Sequence, residues 1–143
     1  MPQPRRRIVE TISRLARAAN FRDQVISAYD NRCAVTRIQL RLIDAAHILP
    51  IGADGSSDTV RNGLSLAPTH HRAFDQGLIY LAPDLKMKLN PSRVGKLQTL
   101  NLAGGLDRFR QFLQQEIFLP ANPNQRPALE YIRKANAFRG IVA

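Results

Sequence analysis

The stretch LIDAAHILP, residues 42–50, does most to restrict what this chain can fold into. An apolar run ends in a histidine, His47, and is cut off at Pro50, which has no backbone N–H to offer a partner strand. The apolar run before it, CAV at 33–35, is equally short, with polar and charged residues 36–41 between. Short apolar runs bounded by polar residues read as strands, so CAV and LIDAAHI are expected to pair as a β-hairpin. A polar loop, IGADGSSDTVRNG, follows, and long polar loops often carry function. After the brief apolar run LSLA, Pro68 and Thr69 are expected to open a short helix, HHRAFDQ, with Thr69 as N-cap and Gly77 as the stop.

The flanks read as helices. Ile8, Ile12, Leu15 and Ala16 recur at helical spacing, and Asn20 is read as the N-cap of a second helix whose stripe is Phe21, Val25 and Tyr29. LIYLAP and LKMKLN, with Pro83-Asp84 between them, suggest another hairpin. LDRFRQFLQQEI reads as a helix through Leu106, Phe109, Leu113 and Ile117. The Pro- and Asn-rich connector FLPANPNQRP leads to a closing helix, ALEYIRKANAFRG. The fold class expected is α+β: a central hairpin, loop and short helix, an additional hairpin, and helices at both ends. Residues 1–20 would be a helical extension and 21–143 the domain proper.

At 143 residues the chain suits one domain, and its 44% apolar content supports a core. No run approaches a membrane span, and MPQPRRRIVE lacks the apolar stretch of a secretory signal. The one cysteine, Cys33, excludes an internal disulfide and a cysteine-rich zinc site and fits a reducing cytoplasm. A net charge of +10 favours a polyanionic partner, although ribosomal proteins, repressors, nucleases and membrane-surface binders share that signal.

Two of the three histidines are adjacent, His70 and His71, and Asp75 lies four residues after the second. On a helix, positions i and i+4 share a face, so His71 and Asp75 could hold one divalent cation from one side or form an ordinary surface pair. His47 can take up a proton near pH 7, or be a satisfied, partly buried side chain. Asn62 could be a turn residue before Gly63 or an amide that ties the loop to the strand.

Taken in order, His47, Asn62 and His71 resemble the HNH endonuclease family, in the subgroup running AAHI.P … NG..L … H..FD.G. The matching residues are Ala45-Ala46-His47-Ile48 with Pro50, Asn62-Gly63 with Leu66, and His71 with Phe74-Asp75 and Gly77. FRDQVISAYDNRCAVT before the motif and RPALEYIRKANAFRG after it are similar too. The resemblance implies a ββα-metal (His-Me finger) core around one divalent cation, Mg²⁺ or Mn²⁺, with Zn²⁺ or Ni²⁺ able to stand in within crystals. It implies His47 as general base, Asn62 as the residue that holds the loop and orients His47, and His71 and Asp75 as metal ligands.

Many relatives carry a metal ligand directly before the base, where this chain has Ala46. Asp44 is the candidate substitute, reaching the metal directly or through water, or else a strand-edge acid with no such role. Where some relatives have a CxxC zinc knuckle, this chain has Cys33-Ala34-Val35-Thr36, so no structural zinc is expected. Arg61, Arg72 and His70 are candidate nucleic-acid contacts, with a solvated face the alternative for each arginine and a helix cap or an alternative metal ligand the alternatives for His70. The implied function is metal-dependent hydrolysis of DNA, in restriction or phage defence, in the cytoplasm of a bacterial or archaeal host. A homodimer is one route to a double-strand break. The alternatives are a non-catalytic DNA-binding module that keeps the fold, and a basic structural protein.

Overall fold

The structure, a computed structural model, describes residues 3–142, so Met1 and Pro2 of the expected extension lie outside the described residues. The order is α1 (Gln3–Ala28), β1 (Asp44–His47), β2 (Gly63–Leu66), α2 (Pro68–Asp75), β3 (Ile79–Leu81), β4 (Met87–Leu89), α3 (Pro91–Thr99), α4 (Leu106–Phe109) and α5 (Leu129–Phe138). The strands form two antiparallel two-stranded sheets, β1–β2 and β3–β4, so the class is α+β as expected.

The first helices expected separately are one, of 26 residues. No Gly or Pro interrupts residues 5–28, and an Asn inside a helix costs only a fraction of a kcal/mol, roughly 0.7 at most, so Asn20 does not break it. Residues 4–20 of α1 are exposed all round; from Phe21 onward the stripe Phe21, Val25 and Tyr29 is buried. Tyr29 is fully buried, its hydroxyl donates to Gly63 O at 3.2 Å, and burial pushes its proton affinity up. Those three rings and branched chains seat α1 on one face of the β1–β2 hairpin.

That hairpin corrects an expectation. The partner of LIDAAHI is GLSL, not CAV: Asp44 pairs with Leu66, Ala46 with Leu64 and His47 with Gly63. The strand expected at 33–35 is absent because the chain turns there, with Arg37 N donating to Cys33 O at 2.8 Å. Cys33 instead opens a tight turn, its Sγ accepting from Thr36 N at 3.3 Å and its N–H donating to Ile38 O at 2.8 Å. Ala34 still joins the sheet by one bond to Ser65 O at 2.7 Å.

Helix α2 starts with Pro68 at its first turn and Ala67 as N-cap, so Thr69 is helical and not the cap. Gly77, at φ 76°, stops it as expected, with Leu78 N donating back to Ala73 O. The second hairpin is present. LDRFRQFLQQEI is not one helix: α4 is four residues long and passes into a short 3₁₀ turn over Arg110–Phe112. Gln114 N and Ile117 N then donate to Met87 O and Leu85 O, so the chain is drawn onto the second hairpin instead of coiling on. Leu113 and Ile117 are buried there. Helix α3, opened by Asn90-Pro91, was not among the expected elements.

The core joins the sheets and helices: Leu64, Leu66, Ala73, Phe74, Ile79, Leu81, Met87 and Ile132 are among its buried side chains. Asn136 of α5 is buried and donates to Leu81 O at 3.0 Å, fastening the last helix to β3. No helix of the described residues is long and apolar enough to cross a membrane.

Candidate functional site

Strand β1 presents side chains to both faces of its hairpin in alternation. Asp44 and Ala46 share a face with Leu64 and Leu66, and His47 shares the other with Gly63. His47 therefore meets α1. Its ring stacks on Phe21, with centroids 4.0 Å apart and planes 8° from parallel. The close fit depends on Gly63, where an added Cβ would fall 2.3 Å from Val25 Cγ2. Gly63 has φ −121°, so small size, not backbone freedom, is what the position requires.

His47 Nε2 lies 2.9 Å from Asp58 Oδ1. An ionised carboxylate only accepts, so of the two neutral tautomers this contact favours the one with its hydrogen on Nε2. Nothing in the loop sequence singles out Asp58: Asp54 is an equally plausible acid in the same stretch. The loop carrying Asp58 is fixed by Asn62, which is wholly buried. Asn62 Oδ1 accepts from Leu49 N at 2.8 Å; its Nδ2 donates to Leu49 O at 3.1 Å and to Ser57 O at 2.9 Å. Its backbone carbonyl accepts from Ile48 N. One amide thus ties both ends of the loop to the residues following His47.

On the other face, the structure brings His71, Asp75 and Asp44 together. His71 Nδ1 is 3.0 Å from Asp44 Oδ2, and His71 Nε2 is 3.2 Å from Asp75 Oδ2. The Asp75 hydrogen bond is the main cause that lifts the imidazole to about pKa 9; burial opposes it and Asp44 assists. The carboxylates sit on opposite edges of the ring, and among the described residues no three acidic, His or Cys side chains converge on one ion position. His71 can offer an ion one nitrogen with the adjacent carboxylate, while the other carboxylate orients the ring. That donor set of imidazole and carboxylate suits a divalent cation, with the remaining positions left for water or phosphate oxygens.

His47 is not in contact with this cluster; its partners are Asp58 and Phe21. Arg139, which the sequence reading did not single out, links the two sides. Its Nη1 donates to Ile48 O at 2.8 Å, its guanidinium lies 4.5 Å over the Phe74 ring, and Asp75 is close enough to favour its charge against the cost of burial. Its only sequence signal is a place at the end of the C-terminal segment that resembles the family.

The remaining candidates stand apart. His70 is buried and stacked on Phe109 at 5.1 Å, and burial lowers its proton affinity, so it is a neutral packing group and offers no surface contact. Arg61 is exposed and donates to Arg126 O at 3.1 Å. Arg72 is exposed at the rim of a mostly apolar groove with Leu97, Leu102 and Phe109.

Residues 33–82 match the family model described as HNH endonuclease. No curated protein matches the chain. A solved structure described as a modification-dependent TagI restriction endonuclease is similar in fold, with a TM-score of 0.55 at 24% identity, covering 84% of this chain and 37% of that one. The chain therefore spans little more than a third of that protein's length. Both strands of the first hairpin, Asn62 and all of α2 fall inside the matched residues. The chain is thus similar to the HNH endonuclease family over residues 33–82.

Proposed function

We propose that the protein is a DNA endonuclease in which His47 is the general base and a divalent cation sits on the His71–Asp75 edge. The observation that carries the reading is that His47, held by Asp58 at the end of β1, Asn62, and the His71–Asp75 pair on α2 all fall within the residues that match the HNH endonuclease model.

His47 Nδ1 is the free nitrogen that takes the proton from water. Asp58 keeps Nε2 protonated and stabilises the imidazolium formed, and Phe21 fixes the plane of the ring. A positioned base of this kind contributes about 10²- to 10⁴-fold in rate. Asn62 holds the loop that brings Asp58 to His47. Asp75 faces an open cleft, which makes its edge of His71 the one a phosphate can approach; Asp44 then holds the ring from Nδ1. A bound Mg²⁺ or Mn²⁺ supplies Lewis acidity and neutralises charge on the phosphate and the leaving oxygen.

The charge of +10 supports DNA as the partner. Residues 21–143 act as the nuclease domain, and the exposed part of α1 before it as a helical arm. One such centre cuts one strand, so a double-strand break takes two copies or two separate nicks. Restriction of foreign DNA is the biological setting this reading favours.

The test is supercoiled plasmid with Mg²⁺, Mn²⁺ or EDTA, for the wild type, His47→Ala and His71→Ala. Nicking that needs the ion and is lost in both variants supports the reading. Salt-sensitive DNA binding without nicking would instead support the non-catalytic module, which Ala46 at the usual ligand position favours.

A further inference from the structure

Beside Asp75 lies a cleft of about 640 Å³ between the start of α3 and the end of α5. Arg93, Lys96 and Arg139 line it, along with Asn90 and Ser92. Neither Arg93 nor Lys96 has an acidic partner within ion-pair distance among the described residues. Arg139 is packed on Phe74 with its Nη1 given to Ile48 O, so it lends the cleft charge and no free donor. Helix α3 begins here without a side-chain cap, because Asn90 Nδ2 is spent on Gly77 O and Asn90 Oδ1 does not reach the first turn. The first-turn amides of Ser92 and Arg93 have no intrahelical acceptor, and helix N-termini attract anions.

We propose that this cleft is a second phosphate site, which takes a backbone phosphate of the DNA strand next to the one cut at the His71–Asp75 edge. The place beside the cut rests on the endonuclease reading; the affinity for a DNA phosphate does not. Arg93, Lys96 and the start of α3 on one wall, with the charge of Arg139 at the end of α5 facing them, suit a phosphodiester. Asp75, on the other wall, is turned to His71 Nε2. The site would fix which way the strand runs past His71, a positioning that His47, Asn62 and Asp75 do not provide by themselves.

The experiment uses the full chain, a fluorescent duplex and EDTA, with anisotropy measured across a salt series. Arg93→Gln with Lys96→Gln is compared with Arg14→Gln with Arg17→Gln, which removes equal charge from the exposed part of α1. Thermal melting of each variant confirms that it is folded. The cleft variant is expected to show a salt slope shallower by about 1 and, at 0.15 M salt, roughly fivefold weaker binding, the loss of about one phosphate contact. The α1 variant is expected to change much less. A wild-type slope in the cleft variant, or an equal loss in the α1 variant, overturns the proposal. Whether the wild type nicks plasmid is measured separately: a cleft effect without nicking would keep the phosphate site and sink the endonuclease reading.

Discussion

Protons and metal ions compete for His71, and the structure sets the size of that competition. A metal ligand must be a neutral imidazole. With Asp75 and Asp44 holding the ring at about pKa 9, roughly one molecule in a hundred is neutral there at pH 7. Apparent metal affinity should therefore rise about tenfold per pH unit between pH 6 and 8.5 and level off above about 9. Isothermal titration calorimetry with Mn²⁺, run in buffers of different ionisation heat, should also show about one proton released per ion at pH 7. Asp75→Asn removes the main cause of the raised pKa, so proton release at pH 7 should fall even though a ligand is lost. An affinity that is flat from pH 6 to 8.5, or binding without proton release, would refute the assignment of the ion to His71.

The same titration affects metal-free stability. His71 is bound more tightly to its proton in the folded state, so the stabilisation is complete below about pH 6.5 and is lost as pH rises through about 9, a drop on the order of 2–3 kcal/mol; urea midpoints with EDTA should fall across that window, and less so in Asp75→Asn. Asn62→Ala deletes the side-chain hydrogen bonds to Leu49, Ser56 and Ser57 at a wholly buried position, so unfolding should cost about 3 kcal/mol less and amide exchange at Leu49 should quicken. Gly63→Ala drives a methyl into Val25 and should destabilise by about 1–3 kcal/mol, an effect that Val25→Ala in the same molecule should partly relieve; if the double variant is no better than the sum of the singles, the contact is not the cause.

What was legible in the sequence was what local chemistry dictates. Gly77 and Pro68 punctuate α2 by backbone geometry alone, and His71 and Asp75 fall on one helical face by spacing alone. Strand partners were less legible. GLSL and CAV are both short and apolar, and only the turn that Cys33 closes with Arg37 and Ile38, which the sequence does not announce, removes CAV from the competition. LDRFRQFLQQEI has helical periodicity, but bonds to Met87 and Leu85 override it. Helix α3 carried its own signal, Asn90-Pro91 at its start, which went unused.

The site divides in the same way. Asn62 read equally as a turn residue before Gly63 or as a loop tie, and only its bonds to Leu49 and Ser57 decide for the tie. Asp58, Phe21 and Arg139 reach His47, Ile48 and Phe74 from 11, 26 and 65 or more positions away in the chain, distances at which sequence spacing carries no information. Asp44 illustrates the middle case. Strand alternation put it on the face of residue 46, but only the packing of α2 showed that His71 Nδ1 is its partner.

The most direct measurement is anomalous diffraction from crystals of the protein grown with Mn²⁺ and a short duplex. The account requires a manganese peak about 2.0–2.3 Å from His71 Nε2 and an Asp75 oxygen, with phosphate between that ion and His47 Nδ1. A peak held elsewhere, or a phosphate that His47 cannot approach, would contradict it.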